Sequence, residues 1–170
     1  MNIVIFGPPG AGKGTQSNLI VKKFQLFQIS TGELLRKEIK EKTKLGNNIS
    51  SIISLGNLVS DEIVGNLIEK YISNANYKNR LIFDGYPRNL NQAKNLVSLL
   101  NKYDQKIDIA LKLSVSLESI KKRILQRKNL EKRADDNEYI AIKRYKDYEK
   151  NIKPVIDFYK NSDLLKEVNG

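Results

Sequence analysis

Apolar and polar positions alternate along the chain in two rhythms. Short β-branched runs recur: Ile3-Val4-Ile5-Phe6, Leu81-Ile82-Phe83 and Ile107 to Leu113. Such runs, bounded by turn residues, predict buried strands. Gln28-Ile29-Ser30 reads as the end of a further strand, and Leu164 to Val168 as the last one. Between them lie stretches with helical spacing, which predict helices over 17–24, from Thr31 past Ile39, and over 46–55, 62–72, 89–100, 117–126 and 137–159. Ser30 or Thr31, and Ser60 or Asp61, are candidate N-caps, and Gly56 a stop signal. In the long last helix Ile140, Tyr145, Tyr148 and Ile152 are core candidates, and Pro154 predicts a kink. The polar stretch 128–137 has no period and reads as a loop. Strands alternating with helices predict an α/β fold with a parallel sheet.

The first strand runs into Gly7-Pro8-Pro9-Gly10-Ala11-Gly12-Lys13-Gly14-Thr15. Strand, glycine-rich turn and helix together form a phosphate-binding loop. The glycines let backbone N–H groups converge on phosphate oxygens, and the helix N-terminus adds partial positive charge. Lys13 reaches for the outer phosphates as a point charge. The usual hydroxyl after the lysine is replaced by Gly14, with Thr15 next, so a direct hydroxyl ligand to Mg²⁺ is not expected.

A second constellation is Arg80-Leu81-Ile82-Phe83-Asp84-Gly85-Tyr86-Pro87-Arg88. Asp84 stands at the C-terminal end of a strand, where parallel α/β sheets bind ligands. There it can hold Mg²⁺, through a water. Pro87 fixes the turn and aims Arg88, whose fork suits a phosphate. Gln92 lies one turn further and could read a base edge.

Composition narrows the chemistry. The 170 residues contain no cysteine and no histidine, which excludes disulfides, thiolate metal sites and imidazole bases. The length suits one main domain. With 30 Lys and Arg against 19 Asp and Glu, the net charge is +11. That suits polyanions, but the lysines are scattered and read mostly as solvated surface. No basic run interleaved with aromatics predicts a nucleic-acid groove, and no apolar run is long enough to span a membrane. A strand beginning near residue 2 leaves no room for a signal peptide, so the cytoplasm is the expected compartment.

Three segments together resemble the adenylate kinases, among the nucleoside monophosphate kinases. They are the Gly-Lys-Gly-Thr loop ending, Ile29-Ser30-Thr31-Gly32-Glu33-Leu34-Leu35-Arg36, and Asp84-Gly85-Tyr86-Pro87-Arg88 with Gln92. The resemblance implies a P-loop core of 1–29, 60–126 and 135–170. It also implies a monophosphate-binding lid over 30–59 and a short ATP lid over 127–134. The implied reaction is reversible phosphoryl transfer, ATP + AMP ⇌ 2 ADP, with Mg²⁺, in a monomer that binds no nucleic acid. By resemblance, Gly10, Ala11, Gly12, Lys13, Gly14 and Thr15 hold the ATP phosphates, Arg123 packs on the ATP base, and Arg127 joins them. Thr31, Arg36, Asn57, Leu58, Val59, Gly85, Tyr86, Pro87, Arg88 and Gln92 hold AMP, with Arg133 and Arg144. Lys13, Arg88, Arg127, Arg133 and Arg144 gather round the transferred phosphate, and Asp135 holds the lid closed. The long zinc-binding lid of many bacterial relatives is absent, so no zinc is expected.

The chain stops at Gly170, before the stretch that edges the ATP base in most adenylate kinases. The ATP-base pocket is therefore expected to be less complete than the phosphate sites. Three alternatives stay open. A pyrimidine nucleoside monophosphate kinase shares most of these motifs; Thr31 and Gln92 favour AMP, and Asn89 leans the other way. A nucleotide-binding protein without catalysis is the second, and a nucleic-acid-binding module, motivated only by charge, the third.

Overall fold

The computed structural model describes residues 1–131 and 138–169. Five strands form one all-parallel sheet: β1 (Ile3–Phe6), β2 (Phe27–Ser30), β3 (Leu81–Asp84), β4 (Ile109–Ser114) and β5 (Leu165–Asn169), in the order β2-β3-β1-β4-β5. The helices are α1 (Lys13–Phe24), α2 (Thr31–Lys40), α3 (Lys44–Ser54), α4 (Asp61–Ile72), α5 (Leu90–Lys102), α6 (Leu117–Glu131) and α7 (Glu138–Lys160). The α/β class and the five parallel strands match the sequence expectation.

β1 and β3 are central and buried along their whole length, which is why they read as continuous apolar runs. Alternate residues face opposite sides of the sheet. Val4, Phe6, Ile29, Leu81, Phe83 and Ala110 join the larger core, with Leu96, Leu100, Ile152, Val155 and Tyr159 from α5 and α7. Ile3, Ile5, Ile82 and Leu113 face the smaller core, closed by Ile20 and Val21 of α1. Each fully buried large apolar side chain contributes about 1.5–3 kcal/mol. β5 is an edge strand with only Leu165 partly covered, so it lacks the buried character of the others.

The lower end of the sheet is pinned by a residue that periodicity does not single out. Asn2 is fully buried, accepts a hydrogen bond from Leu81 N at 3.0 Å and donates to Lys106 O at 2.9 Å. It thereby locks β1 against β3 and against the segment entering β4.

Several boundaries differ from expectation. α1 begins at Lys13 rather than at 17, because Gly12 takes a left-handed conformation (φ 92°) and turns the loop directly into the helix. α6 continues to Glu131, so residues 128–131, expected in a loop, are helical. α3 starts at Lys44, capped by Thr43, whose hydroxyl accepts from Gly46 N at 2.9 Å. Ser60 caps α4, whereas Thr31 does not cap α2 but lies inside it. Among the described residues no helix is long and apolar enough to cross a membrane.

Candidate active site

Strand register brings the motifs to one level. Ile5 of β1 pairs with Asp84 of β3, and Ser30 of β2 pairs with the same aspartate. The phosphate loop, the start of α2 and the Asp84–Arg88 turn therefore leave the sheet side by side. From β1 the chain crosses to β2 on one side, and from the neighbouring β3 to β4 on the other; ligands of such folds bind at that switch, beyond the strand ends. A cleft of about 570 Å³ opens there.

The phosphate loop forms its floor. Its turn is closed by Ala11 N donating to Pro8 O at 3.1 Å, and Gly10 packs on Ile124 and Ile120 of α6. Lys13 reaches back across the loop and donates to Gly7 O at 2.8 Å and Pro8 O at 3.1 Å. Its ammonium thus waits at the mouth of the loop on carbonyl partners that an anion can replace. Arg123 of α6 lies over Gly12 and donates to Ala11 O at 3.1 Å. Gly14 and Thr15 also line the cleft, whereas Ala11 is buried beneath it.

Asp84 is buried at the strand end, and Gly14 packs close to its carboxylate. Gln28 of β2 donates to Asp84 Oδ2 at 3.2 Å, a partner that the sequence reading missed. Among the described residues no cluster of three or more metal-binding side chains exists. A single oriented carboxylate beside a phosphate loop fits a Mg²⁺ ion carried in on nucleotide phosphates, since that ion needs few protein ligands.

The acceptor side is built by the turn after β3. Arg88 Nε donates to Gly85 O at 2.7 Å, and Gln92 Oε1 accepts from Arg88 N at 2.7 Å. Gln92 Nε2 donates to Asp61 Oδ1 at 2.6 Å, and Asn89, which caps α5, also donates to Asp61. Both ends of the Gln92 amide thus brace the turn from behind, and the residue is 3% exposed. Thr31 is buried too and donates to Gly85 O at 2.9 Å. Tyr86 is buried with its hydroxyl on Asn95, and Pro87 follows it through a cis peptide bond. Of the expected AMP residues, Arg36, Asn57, Leu58, Val59, Gly85, Pro87, Arg88 and Arg144 line the cleft; Thr31, Tyr86 and Gln92 stand behind it.

Three arginines from three elements converge here. The Arg88 side chain is exposed at the cleft. Loss of hydration and the neighbouring Arg144 charge hold its pKa down at about 10; Asp84 opposes this, and Arg36 adds to it. Arg88 remains protonated at neutral pH, in a field that favours an anion.

α7 supplies a wall that the sequence reading only touched. Asp147, Tyr148, Asn151 and Ile152 line the cleft beside Arg144. Their spacing from Arg144 is that of one helical stripe, the signal that could have found them. Arg127 lies on α6. Arg133 and Asp135, with residues 132–134 of the expected ATP lid, lie outside the described residues.

Comparison with known proteins agrees with this geometry. The Adenylate kinase family profile matches residues 5–164. An adenylate kinase of Pelagibacter ubique is 45% identical, covering 100% of this chain and 92% of that protein. That alignment runs over 196 positions, more than the 170 residues here, so the relative carries internal residues that this chain lacks. An adenylate kinase of Prochlorococcus marinus (strain NATL2A) is 40% identical over 168 residues, covering 99% of this chain and 89% of its own length. One of Phocaeicola vulgatus is 40% identical over 170 residues, with 100% and 90% covered. A profile match over nearly the whole length, joined to relatives that align along essentially all of this chain, leaves a plain conclusion: this chain belongs to the adenylate kinase family.

Proposed function

We propose that the chain transfers the terminal phosphoryl group of ATP to AMP, reversibly, giving two ADP. The observation that carries this reading is the cleft itself, where a phosphate loop with its lysine faces three converging arginines across one buried aspartate.

In this reading the loop backbone from Gly10 to Thr15 cradles the ATP phosphates. Lys13 exchanges its carbonyl partners for phosphate oxygens, and Arg123 lies against the base. Arg36 and Arg88 take the AMP phosphate, and Arg144 faces the transferred group, with Arg127 and Arg133 as further cations. The backbone of 57–59 meets the acceptor base, while Thr31, Tyr86 and Gln92 keep the Arg88 turn in shape. Asp84 would hold Mg²⁺ through water; when bound with ATP, that ion neutralises charge on the phosphate oxygens. We assign residues 30–59 to a monophosphate-binding lid and 127–134, with Asp135, to a short ATP lid. A monomer in the cytoplasm, without nucleic-acid partners, suits this role.

No general base is required. The attacking atom is a phosphate oxygen of AMP, already anionic at neutral pH, so a chain without histidine is adequate. The residues contribute positioning and positive charge for a transition state whose charge spreads over the transferred oxygens. Closure over the nucleotides excludes water that would otherwise accept the phosphoryl group.

The test is ADP formation by the purified chain from Mg·ATP, with AMP, CMP, UMP and GMP compared as acceptors. AMP is expected to be strongly preferred, and Lys13→Met to lower turnover by a factor of about 10²–10⁴ with the fold intact. Preference for CMP or UMP would move the chain to the pyrimidine enzymes. Nucleotide binding without turnover would make it a non-catalytic binder.

A further inference from the structure

The cleft wall that would meet the acceptor base is a turn, and it is held from outside. α3 is closed by its C-cap Leu55; Gly56 then takes a left-handed conformation (φ 75°), and Asn57 N returns to Ile52 O at 3.0 Å. Gly56, Asn57, Leu58 and Val59 then line the cleft. Lys143 of α7 reaches this turn, donating to Leu55 O at 3.1 Å and to Asn57 Oδ1 at 2.6 Å. A cation on the last carbonyls of a helix is favourably placed, because those carbonyls carry the negative end of the helix dipole. The same two elements also touch one turn away. A Cβ on Gly56 would come within 2.8 Å of Ile140 Cγ2, so only glycine lets α7 approach this closely.

We propose that Lys143 is a positioning residue for the acceptor nucleotide. It clamps the 55–59 turn onto α7 and so sets acceptor affinity without touching the acceptor. The inference rests on the acceptor role given above to that turn. Lys143 precedes Arg144, which faces the cleft, so neighbouring residues of one helix split the work: Arg144 meets the substrate side and Lys143 holds the wall. Two hydrogen bonds from one ammonium, one of them to a helix-terminal carbonyl, fix the turn relative to the arginines of the opposite wall. Without them the turn must be ordered by the nucleotide itself, and binding weakens by that ordering cost.

The experiment compares the unsubstituted chain with Lys143→Met and Lys143→Arg, and adds Asn57→Ala alone and combined with Lys143→Met. AMP binding is measured by calorimetry, and kcat, KM for AMP and KM for ATP by steady-state kinetics. Lys143→Met is expected to raise the AMP Kd and KM about 5- to 20-fold, the scale of charged hydrogen bonds at a partly solvated site. The kcat at saturating AMP and the KM for ATP stay within about twofold. Lys143→Arg recovers most of the affinity. Asn57→Ala weakens AMP binding in the unsubstituted chain and adds little on top of Lys143→Met, because both remove the same contact. An unchanged AMP Kd in Lys143→Met overturns the proposal, as does an equal rise in both KM values. Tight AMP binding with no transfer would count against the proposed reaction, while the calorimetry would still report on the clamp. AMP that fails to bind the unsubstituted chain overturns both.

Discussion

The Ser17 hydroxyl, fully buried on α1, has no hydrogen-bond partner among the described residues. A buried unsatisfied hydroxyl costs free energy that a methyl group does not, and serine is a poorer helix former than alanine. Ser17→Ala is therefore expected to stabilise the chain by about 0.5–1.5 kcal/mol. The check is urea unfolding, read as a higher midpoint with an unchanged slope; a lower midpoint would mean that the hydroxyl has a partner in solution. The position stands one turn beyond Lys13, yet this substitution leaves the loop backbone alone, so turnover is expected to stay near normal. Gln92 is the instructive contrast. By residue type it could read a base; in the structure its amide accepts from Arg88 N and donates to Asp61.

At the scale of elements, the pair α2 and α3 is packed so closely that one residue decides it. A Cβ on Gly46 would sit 2.0 Å from Glu38 O, backbone against backbone, where no rotamer offers relief. The same corner carries the Thr43 cap and the Thr43 N to Glu38 O bond at 3.2 Å. Gly46→Ala is expected to cost about 3 kcal/mol or to force the two helices apart. Because α2 carries Arg36 and α3 leads to the 55–59 turn, the damage should concentrate on the acceptor side. Hydrogen exchange would show faster opening of α2 and α3 with the central strands protected, and KM for AMP would rise more than KM for ATP. Uniform loss of protection would instead place this corner within the cooperative core.

For the whole molecule, the strand ends gather cations around one cleft; the pKa of Arg88 is lowered first by loss of hydration, then by the Arg144 charge and, less, by Arg36. Repulsion among Arg88, Arg144 and Arg36 is relieved when an anion enters, so the empty protein trades stability for affinity. AMP at about 100 times its Kd adds about 2.7 kcal/mol of stability. In a chain of this size that raises Tm by about 5–10 °C. In Arg88→Met the unliganded Tm should hold or rise, while the AMP-induced shift shrinks. A fall in the unliganded Tm equal to the lost shift would make Arg88 a structural residue rather than an anion receptor. The sign difference is measurable in one thermal-denaturation series.

The alternation of apolar runs with helical stretches determined the α/β class, because central parallel strands are buried on both faces and must be apolar throughout. Glycines and a lysine between a strand and a helix determined the phosphate loop, because that local geometry tolerates few other residues. Side-chain partners were not determined in this way. Asn2, Gln28, Asp61 and Lys143 are polar residues of ordinary appearance whose roles depend on groups far away in the chain: Leu81, Asp84, Gln92 and the 55–57 turn. The start of α1 at Lys13, set by the left-handed Gly12, and the run of α6 to Glu131 were likewise not legible from the apolar pattern. Local propensity is written in neighbouring residues. Which cation meets which carbonyl across the cleft follows only from strand order and register, and those arise when the whole core closes.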